Sequence, residues 1–156
     1  MKTPVLILEN IRSVENTGSI FRTAEGLGVS KLYLVGTTPT PLDRFGRKRA
    51  DFAKVSLGAE DMMEWEHSED IKKIVEELKS QGFKIISLEQ HSKAKKLEAR
   101  GHKLEAFVLV VGNEVDGVSE AVLDMSDEVV EIEMKGKKES LNVSVATGIA
   151  LFALLS

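Results

Sequence analysis

Residues 134–150, MKGKKESLNVSVATGIA, decide how the rest of the chain is read. The stretch begins as the tail of a strand, passes through a basic turn at Lys135, Gly136, Lys137 and Lys138, and enters a small-residue helix through Ser140 and Asn142. Glycine frees the backbone at such a turn, and Ser and Asn side chains can accept from the unpaired amides of a helix start. Taken alone, the stretch is accounted for by an ordinary strand-turn-helix with Val143, Ala146, Ile149 and Ala150 as its buried stripe. The same geometry suits a ligand, and the segments upstream decide between the two.

Working back from it, residues 129–132 and 107–111 read as strands, with a short helix over 118–125 between them. The second of these strands is wholly apolar, as are residues 5–8 near the start, which is the pattern of parallel strands covered on both faces. Strands are also expected over 31–35 and 83–88. A helix capped by Asn16 or Thr17 carries Ile20, Ala24 and Leu27 on one face and ends at Gly28. An amphipathic helix starting at Ser68 buries Ile71, Ile74, Val75 and Leu78, holds Glu69 and Asp70 in its first turn and stops before Gly82. Residues 89–103 read as a polar, basic connector. Alternating strands and helices imply an α/β fold, a mainly parallel sheet with helices on both faces. No repeat or linker divides it, so residues 1–156 are expected to form one domain.

A chain of 156 residues that is 42% apolar and 29% charged can bury a sizeable core. It has no cysteine, which excludes disulfides, thiolate metal sites and cysteine nucleophiles, and suits a reducing cytoplasm. No apolar run approaches membrane-spanning length, so no membrane partner is expected. His67, His91 and His102 share no ligand spacing, and no metal is expected. Asp124, Asp127, Glu128, Glu131 and Glu133 read as a solvated strand edge rather than an acid/base pair. The net charge of −4 means that any nucleic-acid contact must use a local patch. Arg44, Arg47, Lys48, Arg49 and Lys54, with Phe45 and Phe52 interleaved, make the densest one; a solvated charged helix is its plainer reading.

Nucleotide fingerprints are missing: Lys31 stands where a third glycine of G-x-G-x-x-G would be, and there is no GxxxxGK[ST]. Three glycine-centred loops remain. The first, Asn16 to Arg22, is read as placing an amide and a guanidinium about one helix start, where arginine can fork onto a phosphate. The second, Gly112-Asn113-Glu114 through Gly117, leaves the end of a buried strand, where ligands of open α/β sheets gather. The third is the stretch quoted above.

Together these loops spell N-x-G-x-x-x-R-x-A, V-x-G-N-E-x-x-G and I-x-M-x-G-x-x-x-S-L-N-V-S-V-A. In this order, and over essentially the whole chain, they resemble the signature motifs of the SpoU/TrmH class of the SPOUT superfamily of RNA 2'-O-ribose methyltransferases. The resemblance implies a C-terminal deep trefoil knot, S-adenosylmethionine held by the knotted loops, a homodimer, and methyl transfer to a ribose 2'-hydroxyl of tRNA or rRNA. It implies cofactor contacts at Leu88, Gly112, Asn113, Ile132, Met134, Ser140 and Leu141. It also implies catalytic roles for Arg22, Asn16, Glu114, Ser140 and Asn142.

Because arginine stays protonated in proteins, Arg22 is read as gripping the phosphate beside the target ribose and stabilising the emerging alkoxide. Without an N-terminal RNA-binding extension, RNA would be held by Arg22 with Arg44, Arg47, Lys48, Arg49 and Lys54, and further by Lys93, Lys95 and Lys96. Dimer contacts are expected from the first and last helices through Ala24, Val145, Ala146 and Ala150. Glu133 stands where the family commonly has proline, and brings a negative charge close to the cofactor loop. The other functional class open to this chain is an RNA-binding or assembly module that keeps the cofactor pocket without turnover.

Overall fold

Strands β1 (Val5–Glu9) and β6 (Phe107–Gly112) lie side by side at the centre of a seven-stranded sheet of order β3-β2-β1-β6-β4-β7-β5. The computed structural model describes residues 3–101, 104 and 106–156. The remaining strands are β2 (Lys31–Val35), β3 (Glu64–Ser68), β4 (Lys84–Leu88), β5 (Lys95–Lys96) and β7 (Glu128–Glu131), and every pairing is parallel. The helices are α1 (Val14–Gly26), α2 (Ala50–Ser56), α3 (Ala59–Met62), α4 (Ile71–Ser80), α5 (Glu120–Met125) and α6 (Val143–Leu155).

Period-two alternation along apolar strands splits the core in two. Leu6, Leu8, Leu32, Leu34, Leu109 and Val111 face one way and pack with Ile20, Phe21 and Ala24 of α1, Phe52 of α2, and Ala150, Leu151 and Leu154 of α6. Val5, Ile7, Ile85, Val108 and Val110 face the other way, onto Ile74, Val75 and Leu78 of α4 and Val122 and Leu123 of α5. Each fully buried aliphatic side chain stabilises this three-layer arrangement by about 1.5–3 kcal/mol.

Local expectations fail where backbone pairing outweighs side-chain pattern. Ser68 does not start a helix. Glu64–Ser68 instead pairs in register with β2 as an edge strand, supported by Lys31, whose Nζ lies 3.3 Å from Glu66 and 3.6 Å from Glu64. Helix α4 follows from Asp70, whose carboxylate accepts from Lys73 N–H at 3.1 Å. The connector after β4 contributes β5, a two-residue edge strand whose lysines suit an unpaired sheet edge. His102 and Lys103 lie outside the described residues. Helix α1 is capped by Ser13, which accepts from Asn16 N–H at 3.0 Å, rather than by Asn16 or Thr17. It closes as expected in a glycine stop: Gly28 has φ +80°, and Val29 N–H reaches Ala24 O at 3.0 Å.

Glu128 is not part of a solvated edge. It is 8% exposed, and its carboxylate is 2.5 Å from both Lys84 Nζ and Lys95 Nζ and 3.1 Å from Arg100 Nη2. Burial pushes its pKa up, but the three cations outweigh that and hold it at about 2, below the ordinary 4.5. The folded pKa lies below the unfolded one, so the stabilisation is full above pH 4.5 and is lost as pH falls towards about 2. Glu128→Gln is therefore expected to lower the urea midpoint at neutral pH, with the gap to the parent narrowing across that window.

Candidate functional site

Strands β6, β4 and β7 are neighbours, so their carboxyl ends bring three loops together at one edge of the sheet. Between these loops lies a cavity of about 210 Å³. It is lined by all seven residues expected to hold a cofactor: Leu88, Gly112, Asn113, Ile132, Met134, Ser140 and Leu141. Leu88, Ile132, Met134 and Leu141, with Val111 and Val143, supply apolar walls. The charged side chains of the lining are the carboxylates Glu89, Glu114, Asp116 and Glu131, with no lysine or arginine among them. Such a lining rejects phosphates and suits a cationic or neutral ligand.

The loop after β6 is held by its own side chains. Asn113 is 4% exposed; its Oδ1 accepts from Val115 N–H at 2.9 Å and Asp116 N–H at 2.7 Å, and its Nδ2 donates to Asn10 O at 2.9 Å. Its side chain is thus committed to the turn, as is its carbonyl, which accepts from Gly117 N–H at 2.9 Å. Glu89 and Glu9, which the motif reading missed, clamp the far end of this loop. Glu89 Oε2 accepts from Val118 N–H at 2.7 Å, and the buried Glu9 accepts from Ser119 N–H at 2.8 Å. The available signal was an acid at the end of each apolar strand, where a lone carboxylate must find donors to be buried.

One polar residue from each motif joins a single hydrogen-bonded chain. Asn16 Nδ2 donates to Glu114 Oε1 at 3.0 Å, and Asn142 Nδ2 donates to Asn16 Oδ1 at 3.1 Å. Asn142 also caps α6, accepting from Ser144 N–H at 2.9 Å, so it serves both the cap and this chain of hydrogen bonds. Release of Asn16 from capping leaves its amide free for this role. Ser140 lies exposed on the cavity lining, and Gln90 Nε2 donates to Glu139 O at 2.6 Å, tying the end of β4 to the loop before α6. Gly136 has no positive φ, so the turn does not use its conformational freedom.

Arg22 is not brought to this cavity. It lies on α1 six residues beyond Asn16, exposed, in a separate groove with Ser19, Asp51 and Lys54, and it has no hydrogen bond or ion pair among the described residues. Helix α2 is seated there because Gly18 lets it approach: a Cβ at position 18 would lie 3.0 Å from Val55 Cβ. Phe21 and Phe52 then meet edge-to-face at 5.1 Å. The basic segment follows this seating, as a turn leading into α2 rather than a charged helix. Several of its charges are partnered: Arg47 with Asp43, Lys48 with Asp61, Arg49 with Asp51. Arg44 and Lys54 have no such partner among the described residues. Lys95 and Lys96 are likewise partnered, by Glu128 and Glu133, and the Glu133 charge sits in an exposed pair. Among the described residues, no three His or carboxylate side chains converge on a metal position.

A sequence profile of the SpoU rRNA Methylase family matches residues 3–152. The chain belongs to this family. It is 32% identical over 150 residues to a 23S rRNA (guanosine-2'-O-)-methyltransferase of Xanthomonas axonopodis pv. citri, covering 95% of this chain and 56% of that relative. It is 31% identical over 155 residues to a tRNA (guanosine(18)-2'-O)-methyltransferase of Aquifex aeolicus, covering 97% of this chain and 68% of that one. The AdoMet-bound rRNA methyltransferase from Sinorhizobium meliloti shares the fold, with a TM-score of 0.85 at 23% identity over 97% of this chain and 55% of that one. The chain thus spans little more than half the length of the Xanthomonas relative.

A Cβ at Gly112 would fall 2.2 Å from the backbone carbonyl of Gly117, whereas one at Gly136 meets nothing within 4 Å. Gly112→Ala is expected to cost about 1–3 kcal/mol of stability by overpacking, and Gly136→Ala to stay within about 0.5 kcal/mol of the parent in urea denaturation.

Proposed function

We propose that this chain is an S-adenosylmethionine-dependent RNA 2'-O-ribose methyltransferase acting on tRNA or rRNA in the cytoplasm. The observation that carries the reading is the cavity itself: apolar walls, free strand ends, four carboxylates and no basic side chain, on the three family motifs. S-adenosylmethionine fits that donor set, since it has an apolar adenine edge and a cationic sulfonium but no phosphate. Bound there, it would supply an electrophilic methyl group to the ribose oxygen.

The chain's own residues then divide the work. Leu88, Ile132, Met134 and Leu141 would enclose the cofactor, with Gly112 and Asn113 beside it. Asn16, Glu114 and Asn142 form the polar rim at which the ribose would be oriented, with Ser140 beside them. Arg22, Arg44, Arg47, Lys48, Arg49 and Lys54 hold the RNA backbone, Arg22 closest to the reacting hydroxyl, where its fixed charge stabilises the developing alkoxide.

We also propose a homodimer built on α6. Its residues Val143, Thr147, Ala150, Leu151 and Leu154 are buried in the chain's own core, yet Val145, Ile149 and Phe152 form a second apolar stripe that is 50%, 43% and 65% exposed. Ala24 and Ala150 are fully buried and unavailable to a partner, so Val145, Ile149 and Phe152 carry the contact instead. This stripe lies beside the cavity, because Ala146 lines it. Since Arg22 does not line its own chain's cavity, the dimer we propose supplies it from the second copy. A trefoil knot in the segment leading to α6 is part of the same reading, supported by the family membership.

Tritiated-methyl transfer to total tRNA and ribosomal RNA tests the activity. Arg22→Ala is expected to lower turnover roughly 10²–10³-fold while cofactor binding by calorimetry is kept. Loss of turnover in the parent with cofactor binding intact would favour the assembly-module reading. Mixing Arg22→Ala with a cavity variant such as Leu141→Glu is expected to restore activity if the two chains share a site, and to restore none if each chain acts alone. Phe152→Glu is expected to convert the dimer to monomer in sedimentation.

A further inference from the structure

The fold treats the two phenylalanines of the basic segment in opposite ways. Phe52 is fully buried against Phe21, whereas Phe45 is 66% exposed at the tip of the turn that precedes α2. A single exposed aromatic needs no explanation. What sets Phe45 apart is how firmly the turn presents it and what surrounds its ring.

Asp43 organises the turn. Its Oδ1 accepts from Phe45 N–H at 2.8 Å and Arg47 N–H at 2.9 Å, its Oδ2 accepts from Arg47 Nε at 3.1 Å, and its carbonyl accepts from Gly46 N–H at 3.0 Å. Gly46, at φ +77°, closes the bend, and Leu42 bridges to Lys48 across its base. The ring is thereby held out of the core with little backbone freedom left to lose on binding. The guanidinium carbons of Arg44 and Arg47 lie over the ring, 4.8 and 5.1 Å from its centroid, so a base reaches a face only as the unpaired Arg44 swings aside towards the backbone. Arg47 is bonded to Asp43 through Nε, and Arg44 has no carboxylate partner among the described residues. A rigidly displayed aromatic ring flanked by arginines is the composition of sites that stack unpaired bases, with the cations meeting the backbone on either side.

We propose that Phe45 is a stacking platform for one unpaired nucleobase of the RNA substrate, with Arg44 and Arg47 contacting the adjoining phosphates. This rests on the RNA-methyltransferase reading and adds to it that the substrate is single-stranded where it crosses this turn. A base within an A-form duplex presents no free face, so duplex RNA would use the arginines alone.

Binding of a fluorescein-labelled RNA of roughly a dozen nucleotides, single-stranded or annealed to its complement, tests the proposal by polarisation. Phe45→Leu keeps the apolar bulk and removes the π-face; it is expected to weaken single-strand binding about tenfold and to leave duplex binding within about twofold of the parent. Phe45→Trp is expected to keep single-strand affinity and to show indole quenching on RNA addition beyond the Trp65 background of the parent. S-adenosylmethionine titration reports that each variant is folded. Phe45→Leu binding the single strand within about twofold of the parent, or losing affinity equally for both forms, would overturn the proposal. A parent that binds S-adenosylmethionine but neither RNA would overturn this and the RNA reading together.

Discussion

Parallel strands leave their carboxyl ends unpaired at one edge of the sheet, and that constraint shapes everything functional in this protein. Strands β6, β4 and β7 end side by side, so three loops must satisfy their own backbone groups in the same small volume. They do so with side chains at fixed places: Asn113 inside its own turn, Glu89 and Glu9 on successive amides at Val118 and Ser119, and Gln90 on Glu139 O. Once these donors and acceptors are paired, what faces the cavity is apolar wall and carboxylate. The acidity of the pocket is thus a by-product of how the loops are held as well as a determinant of which ligand fits.

Helix α1 connects this acidic cavity to a basic surface. Its first turn offers Asn16 to Glu114 and Asn142, while Arg22, almost two turns on, faces Lys54 and the segment leading into α2. The separation is set by packing. Gly18 admits α2 at close range, Phe21 locks edge-on against Phe52, and the basic turn is carried along with them. Asn16 and Arg22 thus stand on different faces of one helix.

Much of the fold was legible because side-chain pattern and backbone need agreed. The apolar runs of β1, β2, β4 and β6, the glycine stop at Gly28 and the buried stripe of α4 all lie where periodicity placed them. Strand β3 did not, because Glu64, Glu66 and His67 are exposed and only backbone pairing with β2, with Trp65 packed on the core, makes it a strand. Glu128 was misread for the reverse reason: its three cations come from positions 84, 95 and 100, far from it in sequence. The residues that line the cavity were legible from the motifs, but the commitment of Asn113 to its own turn was not, since residue type alone does not say which donor is nearest.

The sequence by itself determined that this is an α/β chain of covered parallel strands with three glycine-centred loops, because apolar periodicity, turn residues and motif order are local properties. Only the tertiary structure decided that Asn16, Glu114 and Asn142 form one hydrogen-bonded chain, that Arg22 stands apart from them, and that Phe45 is displayed while Phe52 is buried. Those outcomes depend on which strands become neighbours and how closely α2 can approach α1, distances that no single segment encodes.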